Sequence, residues 1–470
     1  MLYVSTRGEA PAISFADALL AGLARDGGLY VPERWPALAR ETIAGFKGRP
    51  YAEVAFEVIA PFVAGSFTDV ELRRMINDAY AAFDHPEVAP LVELAPGEFL
   101  LELFHGPTLA FKDVAMQLLA RMMDHVLAER GERITIVGAT SGDTGGAAVE
   151  AFRGRDRTDL IILFPDGRVS GVQRRMMTTA SETNVHAVSI DGTFDDCQAI
   201  VKTLFNDHAF RDRVRLSGVN SINWARIVAQ SVYYFTAAAA LGAPDQAVRF
   251  AVPTGNFGDI FAGYAASQMG LPIEQLIIAT NVNDILARTL ASGVYEPHEV
   301  VATASPAMDI QVSSNFERLL FEASGRHAVT VLKLMSDLAR DGRLTVPAES
   351  LAAIRRLFSA GRADEAETVA TIKSVHAAHD YVLDPHSAVG VAVARKLEGK
   401  GSAPLVALVT AHPAKFPEAV EAAIGVRPTL PAHFADLGSR RERFEKLPAS
   451  VDAVARFVAE RSRAAAGAAA

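Results

Sequence analysis

The sequence predicts an α/β fold with more than one domain, and three observations support this prediction. From about residue 97 onward, short apolar runs alternate with loops and with segments of helical periodicity, which is the pattern of strand and helix units in a mainly parallel sheet. The chain has 470 residues, of which 50% are hydrophobic and 21% are charged, a composition typical of globular enzymes with large cores. Glycine-rich loops follow two of the apolar runs, and open α/β sheets bind ligands at such strand ends.

Charge and cysteine content exclude several classes of function. The 46 Lys and Arg residues against 55 Asp and Glu residues give a net charge of −9, which argues against nucleic acid as a partner. The single cysteine, Cys197, excludes an internal disulfide and a multi-thiolate zinc site, and we expect no metal. The first residues lack the basic segment followed by an apolar segment that is typical of a signal peptide, and no run reaches the ~18 apolar residues of a membrane span. We therefore expect a cytoplasmic protein that does not bind membranes.

The first block, residues 1–96, has the pattern of helices with short connections. FADALLAGLARDGG and YAEVAFEVIAPFVAG are examples, and Gly and Pro residues punctuate the segments between them. We expect a mainly helical N-terminal accessory domain over these residues.

The second block, residues 97–247, is expected to form the smaller α/β domain. VAMQLLARMMDHVLAERG places its large apolar side chains on one helical face and stops at Gly131. RITIVGAT is a short β-branched run, and the loop SGDTGG and a helix-like segment follow it. DLIILFP and NVHAVSI continue the same alternation.

The third block, residues 248–470, is expected to form the larger α/β domain. VRFAVP has the pattern of a strand, TGNFGD that of a tight loop, and IFAGYAASQMG that of a helix ending in glycine. QLIIATN and PLVALVT are further candidates for buried strands. These boundaries are approximate, and the two α/β domains can interleave.

The motif HGPTLAFKD, residues 105–113, places Lys112 just before the long amphipathic helix. A cation at a helix N terminus opposes the helix dipole, and the neighbouring Phe111 is apolar. Both effects favour the neutral amine, which is the form that attacks a carbonyl to make a Schiff base. Only nine of the 46 basic residues are lysines, so a lysine in these surroundings is notable. The alternative is a solvated charge with Asp113 as a helix cap, and the residues leave both interpretations open.

Two loops have the composition of anion sites. GATSGDTGG, residues 138–146, and TGNFGD, residues 254–259, combine small residues with a helix start, where backbone N–H groups can point at a carboxylate or phosphate. Neither loop matches the Walker or dinucleotide-binding patterns. The alternative for each is a strand-to-helix turn that simply requires glycine.

Two further motifs contain polar side chains at structurally favourable places. TAHPAKF, residues 410–416, puts the Thr410 hydroxyl at a strand end and Lys415 where it could attract an anion. The alternative, which the motif alone favours slightly, is a Pro-rich turn leaving the sheet. NSINWARI, residues 220–227, puts Asn223 and Arg226 on one helical face. Arg226 could instead be a surface ion-pair partner.

Taken together, HGPTLAFKD, ATSGDTGG, NSINWARI, PTGNFGD and TAHPAKF resemble the threonine synthase family, in the branch with a longer N-terminal domain, and they occur in the family's order. STRG and DGGLYVP near the N terminus are also similar, so the resemblance runs from about residue 4 to about residue 420. FKD or SGDTG alone would indicate only a pyridoxal 5′-phosphate (PLP) enzyme of the tryptophan synthase β-like fold. The resemblance implies fold type II, with two open α/β domains and the N-terminal helical domain, and PLP as cofactor.

The resemblance also implies a role for each matching residue. Lys112 would form the Schiff base with PLP. Backbone groups of Gly255, Asn256 and Phe257 would hold the cofactor phosphate, with Asp259 completing the turn, and Thr410 would bond to the ring nitrogen. Ser141, Asp143 and Thr144 would lie near the substrate carboxylate and the ring hydroxyl. Asn223 and Arg226 would meet the substrate phosphate, and Lys415 is a further candidate for substrate binding.

The implied reaction converts O-phosphohomoserine and water to L-threonine and phosphate by γ-elimination and addition of water at Cβ. The alternatives are a phospho-lyase or a serine/threonine dehydratase of the same fold, and a PLP-binding protein without catalysis. NSINWARI and its possible phosphate ligands argue against the dehydratase. We expect a monomer or homodimer.

Overall fold

The computed structural model describes residues 1–397 and 401–467. Strands and helices alternate along most of these residues, which confirms the α/β fold class. The strands are β1 (Leu2–Ser5), β2 (Ile13–Ser14), β3 (Tyr30–Pro32), β4 (Leu91–Ala95), β5 (Glu98–Glu102), β6 (Ile134–Ala139), β7 (Thr158–Pro165), β8 (Val185–Asp191), β9 (Leu216–Ser217), β10 (Val248–Pro253), β11 (Ile273–Thr280), β12 (Val294–Tyr295), β13 (Leu344–Thr345), β14 (Phe358–Arg362), β15 (Leu405–Val409) and β16 (Glu445–Pro448). The α-helices are α1 (Phe15–Ala21), α2 (Arg40–Ala44), α3 (Tyr51–Val63), α4 (Asp69–Tyr80), α5 (Lys112–Arg130), α6 (Asp143–Phe152), α7 (Gly171–Thr178), α8 (Phe194–Asn206), α9 (His208–Arg213), α10 (Trp224–Ala240), α11 (Gly258–Gln268), α12 (Ile285–Ser292), α13 (Phe316–Ala323), α14 (Ala328–Asp341), α15 (Ala348–Leu357), α16 (Glu365–His379), α17 (Pro385–Lys396), α18 (Pro417–Ile424), α19 (Val451–Arg461) and α20 (Arg463–Gly467).

Two sheets, each flanked by helices, form the body of the molecule. The larger sheet has six strands in the order β14-β11-β10-β15-β5-β4, and its neighbours are parallel except for the antiparallel pair β5 and β4. The smaller sheet has five parallel strands in the order β16-β8-β7-β6-β9. Every residue of β6, β7 and β10 is buried, as expected where helices cover both faces of a sheet. The apolar runs predicted as strands therefore form the sheet centres.

The two sheets draw strands from separated parts of the chain. β4 and β5 lie on either side of residue 96, yet both belong to the larger sheet, where β5 pairs with β15. β16 lies in the third block and pairs with β8 of the smaller sheet. Each sheet therefore contains strands from more than one of the blocks expected from the sequence, because a strand can pair with any sheet edge that is open to it. Periodicity shows where strands lie but not which sheet receives them.

The N-terminal residues pack as a mainly helical layer against α10. They also contain a small antiparallel sheet of order β2-β1-β3, which the sequence pattern did not indicate. The Tyr3 hydroxyl donates a hydrogen bond to the Phe62 carbonyl at 2.7 Å. The rings of Phe62 and Trp35 each lie 5.9 Å from that of Trp224 in α10. This aromatic packing fixes the N-terminal layer to α10.

The carboxyl ends of β6, β10 and β15 meet between the two sheets. The loops SGDTGG, TGNFGD and TAHPAKF begin at these ends, which is the edge where open α/β folds bind ligands. None of the helices within the described ranges is long and apolar enough to cross a membrane.

Phe250, in the centre of β10, gives a test of this core. The side chain is buried and packs edge-on against Tyr234 at 4.8 Å. We expect Phe250→Ala to lower the denaturation midpoint by an amount equivalent to about 3–5 kcal/mol, measured by urea unfolding. Val70 is 78% exposed, so Val70→Ala should stay within about 0.5 kcal/mol of the unmodified protein. A similar loss in both variants would contradict the central place of Phe250.

Candidate active site

A cavity of about 1100 Å³ opens between the two sheets at these strand ends. Most of the residues predicted to form the site contribute to its wall, namely Lys112, Ser141, Asp143, Thr144, Arg226, Gly255, Asn256, Phe257, Asp259 and Thr410. Asn223 and Lys415 do not line it. Motifs that are far apart in the sequence therefore meet at one place.

The motif HGPTLAFKD forms a closed loop before α5. The Asp113 carboxylate accepts hydrogen bonds from the backbone N–H of Thr108 at 2.7 Å and from its hydroxyl at 2.6 Å. A Cβ on Gly106 would lie 2.4 Å from the Cβ of Asp113, so only glycine fits there. Leu109 has a φ of +59°, a left-handed conformation that is costly outside glycine and is often found at functional sites. Asp113 thus closes the loop that presents Lys112.

The same loop lies along the residues that follow β15. The Phe111 N–H donates to the Thr410 carbonyl at 2.9 Å, and the His412 N–H donates to the Leu109 carbonyl at 3.0 Å. These bonds hold Lys112 and Thr410 on the same cavity wall, although almost 300 residues separate them in the sequence.

The Lys112 amine is buried beside Asp143. Its Nζ donates to Asp143 Oδ2 at 3.3 Å and lies 4.4 Å from the centre of the Phe111 ring. Burial lowers the pKa of Lys112, and the nearby positive charges of Lys415 and Arg226 lower it further. The negative charge of Asp143 acts in the opposite direction. On balance the surroundings favour the neutral amine.

Lys415, predicted to bind the substrate, lies outside the cavity wall. Its side chain is 1% exposed. The Nζ atom donates to the Thr108 carbonyl at 2.7 Å and pairs with Asp143 Oδ1 at 2.8 Å. Internal acceptors thus hold the Lys415 side chain, and its expected contact with the substrate stays a prediction.

Asp143, the first residue of α6, therefore contacts two lysines. Gln173, which no sequence motif singled out, also donates to Asp143 Oδ1 from Nε2 at 2.9 Å. Burial alone would raise the pKa of Asp143, but the positive charges of Lys415 and Lys112 hold it far below its usual range. The group is therefore a carboxylate at neutral pH.

The loop before α6 is shaped by its own glycine and hydroxyl groups. The Thr140 hydroxyl accepts the N–H of Gly142 at 2.9 Å. Gly142 has a φ of +138°, and a Cβ there would lie 2.4 Å from Cδ of Gln173. Ser141 and Thr144 line the cavity beside this helix start. Their expected contact with a substrate carboxylate stays a prediction, and the position favours an anion.

The loop between β10 and α11 leaves backbone donors free. The N–H groups of Gly255, Asn256 and Phe257 have no hydrogen-bond partner among the described residues. Phe257 has a φ of +64°, and a Cβ on Gly255 would lie 2.8 Å from the Ala307 carbonyl oxygen. The Ser313 hydroxyl donates to the Gly255 carbonyl at 2.7 Å and fixes the loop. Free N–H groups at a helix start form an anion site that a phosphate group fits.

Asp259, in the first turn of α11, directs its carboxyl group toward two tyrosines. Tyr233 donates a hydrogen bond to Oδ1, and Tyr234 donates to the same oxygen at 3.1 Å. Burial raises the pKa of Asp259 to about 6, although the two tyrosine hydrogen bonds lower it. Oδ2 has no partner in the part of the chain that the structure describes. Its expected part in the phosphate loop stays a prediction.

Arg226 brings a buried guanidinium to the cavity beside two polar residues that were not predicted. Its Nη1 donates to the Val219 carbonyl at 3.3 Å, while Nε has no partner among the residues described. Burial lowers the pKa of Arg226 to about 10, so it remains a cation at neutral pH. Asn220 has a similarly unpartnered Oδ1, and Ser221 lines the cavity. Both residues open the motif NSINWARI, which therefore contained the signal.

Asn223, predicted to meet the substrate phosphate, caps α10, and its expected contact stays a prediction. Its Oδ1 accepts the N–H of Ala225 at 3.1 Å. Its Nδ2 donates to the carbonyls of Leu19 and Gly218 at 2.9 Å and 3.1 Å. The amide thus ties the N-terminal layer to α10 and has no donor left for a substrate.

Thr410 stands at the end of a hydrogen-bonded chain. Its N–H donates to the Ser387 hydroxyl at 3.0 Å, and Ser387 in turn donates to Asp384. His386, which also lines the cavity and was not predicted, bonds to Asp384 through Nδ1 at 2.8 Å. Its Nε2 accepts the Ala307 N–H at 3.2 Å. This chain fixes the backbone of Thr410 at the cavity wall.

Comparison with known proteins agrees with this geometry. Three family models match the chain: Threonine synthase N terminus over residues 2–80, Pyridoxal-phosphate dependent enzyme over residues 84–372, and Threonine synthase, C-terminal, over residues 387–458. The chain is 54% identical to the threonine synthase of Pseudomonas aeruginosa over 461 residues, 98% of each chain. The crystal structure of PLP-bound threonine synthase from Brucella melitensis has a TM-score of 0.94 at 63% identity, covering 98% of this chain and 100% of that one. Yeast threonine synthase has a TM-score of 0.91 at 39% identity, covering 98% of each chain.

The fold and the site thus define a PLP-dependent enzyme of fold type II, and PLP is its cofactor. The free N–H groups of the loop 255–257 and the buried Lys112 fit the phosphate and the aldehyde of this cofactor. Within this class, the chain belongs to the threonine synthase family. The resemblance carried by the five motifs is confirmed.

Gly106→Ala tests the closed loop that presents Lys112. The added Cβ would overlap Asp113, so we expect a loss of roughly 1–3 kcal/mol of stability and weaker PLP binding. Gly171→Ala is the matched control, because a Cβ at this first position of α7 meets nothing within 4 Å. Thermal unfolding and the visible absorption of the holoenzyme measure both effects. Equal behaviour of the two variants would show that the loop tolerates expansion.

Proposed function

We propose that this protein is a threonine synthase that converts O-phosphohomoserine and water to L-threonine and phosphate. The observation that carries the proposal is the buried guanidinium of Arg226, with its free Nε, on the same cavity wall as Lys112 and the free N–H groups of the loop 255–257. The N–H groups of the loop 255–257 can bind the cofactor phosphate. The guanidinium of Arg226 is a second donor and can bind a phosphate on the substrate. Membership of the threonine synthase family supports the same substrate.

The chain's own groups suggest how the cofactor is held. We assign Lys112 as the point of covalent attachment, the N–H groups of Gly255, Asn256 and Phe257 as the phosphate donors, and Thr410 as the partner of the ring nitrogen. When bound, PLP supplies an aldehyde for attachment and a conjugated ring that delocalises the negative charge formed at the substrate Cα.

Lys112 is the group that moves protons in this proposal. As a neutral amine it takes the proton from Cα, and as an ammonium it returns a proton at the end of the reaction. Burial lowers its pKa, which makes it a competent base closer to neutral pH. Asp143 Oδ2, 3.3 Å from Nζ, stabilises the ammonium while it carries the proton. One lysine can therefore serve several successive transfers.

The substrate's two anionic ends meet different parts of the wall. Arg226 balances the charge on the phosphate as it leaves Cγ, and Asn220 and Ser221 offer further hydrogen bonds to it. Ser141 and Thr144, beside the start of α6, hold the carboxylate. This arrangement keeps Cα and Cγ of one substrate within reach of the same lysine and the same leaving-group donors.

The products of a single incubation separate this proposal from its alternatives. Holoenzyme with O-phosphohomoserine should release threonine and phosphate in equal amounts. Phosphate without threonine would indicate a phospho-lyase, and a 2-keto acid from free serine or threonine would indicate a dehydratase. Arg226 argues against the dehydratase, because an unphosphorylated substrate would leave its buried charge without a counter-ion.

We further propose that the protein is a monomer or homodimer and that it acts in the cytoplasm on a small molecule. Its proposed domains are approximately residues 1–96, 97–247 and 248–470. Size-exclusion chromatography with light scattering measures the oligomeric state, and limited proteolysis tests the domain boundaries.

Lys112→Ala is expected to abolish the visible absorption band of bound PLP and to slow threonine formation by about 10³-fold or more, since it removes both the attachment point and the base. Lys446→Ala, at an exposed lysine paired with Asp166, is the control and should change neither. A retained absorption band in Lys112→Ala would refute the assignment of the attachment point.

Arg226→Gln is expected to lower kcat/KM for O-phosphohomoserine by about 10²–10³-fold, the usual effect of removing one donor to a developing anion. The PLP absorption band should persist. Arg25→Gln is the matched control, because Arg25 lines the outer cavity and pairs with Asp212 at 2.6 Å. Loss of the PLP band instead of kcat/KM would reassign Arg226 to the cofactor phosphate.

A further inference from the structure

Two buried lysines share one carboxylate in this site. Lys112 contacts Oδ2 of Asp143 at 3.3 Å, and Lys415 contacts Oδ1 at 2.8 Å. The side chains of Lys415 and Asp143 are 1% and 3% exposed, so water does not compensate their charges. One carboxylate cannot neutralise two ammonium groups in such surroundings. The protonation states of the two amines are therefore coupled.

The two amines have unequal partners. Lys415 Nζ also donates to the Thr108 carbonyl at 2.7 Å, so two acceptors at short distance hold its ammonium. Lys112 has the single longer contact with Asp143 and the face of the Phe111 ring. The Asp143 carboxylate therefore makes its shorter ion pair with Lys415, and the charged form of Lys112 is left with the weaker stabilisation.

The other titratable groups around Lys112 do not reverse this balance. Arg226 on α10 adds a further positive charge, and Asp259 on α11 is a carboxyl whose ionisation burial disfavours. His386 on α17 accepts a backbone N–H at Nε2, which requires an uncharged nitrogen there. Asp113, next to Lys112 in the chain, is occupied by the two hydrogen bonds from its own loop.

We propose that Lys415 is a positioning residue: its ammonium occupies one oxygen of Asp143 and thereby holds Lys112 as the neutral amine that cofactor attachment and proton transfer require. The purpose of this arrangement rests on the proposed function, but the arrangement belongs to the cofactor site and is measurable without turnover. Lys415 follows β15 of the larger sheet, whereas Asp143 opens α6 beside the smaller sheet. The same contact therefore joins the two α/β units.

The test follows PLP uptake by the full-length chain, after removal of the cofactor, through the visible absorption band at a series of pH values. The uptake rate depends on the neutral fraction of Lys112, so each variant gives a midpoint pH. Lys415→Gln keeps a donor for Thr108 and Asp143 but removes the charge, and Lys415→Arg keeps the charge. Lys446→Gln, at the exposed lysine paired with Asp166, controls for the loss of a lysine.

We expect the midpoint of Lys415→Gln to rise by about one pH unit or more, which means roughly tenfold slower uptake below the midpoint and the same plateau above it. Lys415→Arg and Lys446→Gln should keep the original profile. Adding Asp143→Asn to Lys415→Gln should lower the midpoint again, because the carboxylate that stabilises the Lys112 ammonium is then absent.

An unchanged midpoint in Lys415→Gln, or an equal loss of uptake at every pH, overturns the proposal, since either result assigns Lys415 a purely structural part. If Lys415→Gln does not fold, the profile of the unmodified protein decides: a midpoint near that of an ordinary lysine, about 10.4, refutes the proposal. A holoenzyme that makes no threonine yet shows the expected profiles refutes the proposed function and leaves the role of Lys415 intact.

Discussion

The Asp143 carboxylate is the group on which the rest of the site depends. It opens α6, where the helix dipole favours negative charge, and it lies between two amines that come from distant parts of the chain. Without it, the buried ammonium of Lys415 would have no counter-ion, which costs several kcal/mol. The ends of both sheets must therefore come together at this carboxylate before the cavity has its final shape.

The proposed binding of two phosphate groups by a chain of net charge −9 depends on local donors. Backbone N–H groups at the start of α11 act through dipoles that do not depend on the total charge. Arg226 acts from a buried position, where one positive charge is screened far less than at the surface. Net charge thus reports on the surface of the protein and says little about the cavity.

Much of the fold and part of the site could be predicted from the sequence. Lys112 and the two glycine-rich loops are recognisable because their local chemistry depends on neighbouring residues. Asn223 and Lys415 belong to informative motifs, but composition does not show that their side chains turn into the protein. Gln173 and His386 acquire their importance only through contacts between segments that are distant in sequence. Strand pairing across the block boundaries was unpredictable for the same reason.

The position of β16 in the smaller sheet sets the order in which the molecule can be completed during synthesis. The other four strands of that sheet are made by residue 217, whereas β16 begins at residue 445. The larger sheet has all its strands by residue 409, so it can assemble earlier. The outer edge of β8 stays unpaired on the ribosome throughout this interval, and such an edge favours aggregation. Residues 218–444 must therefore be synthesised before the strand that covers this edge is available.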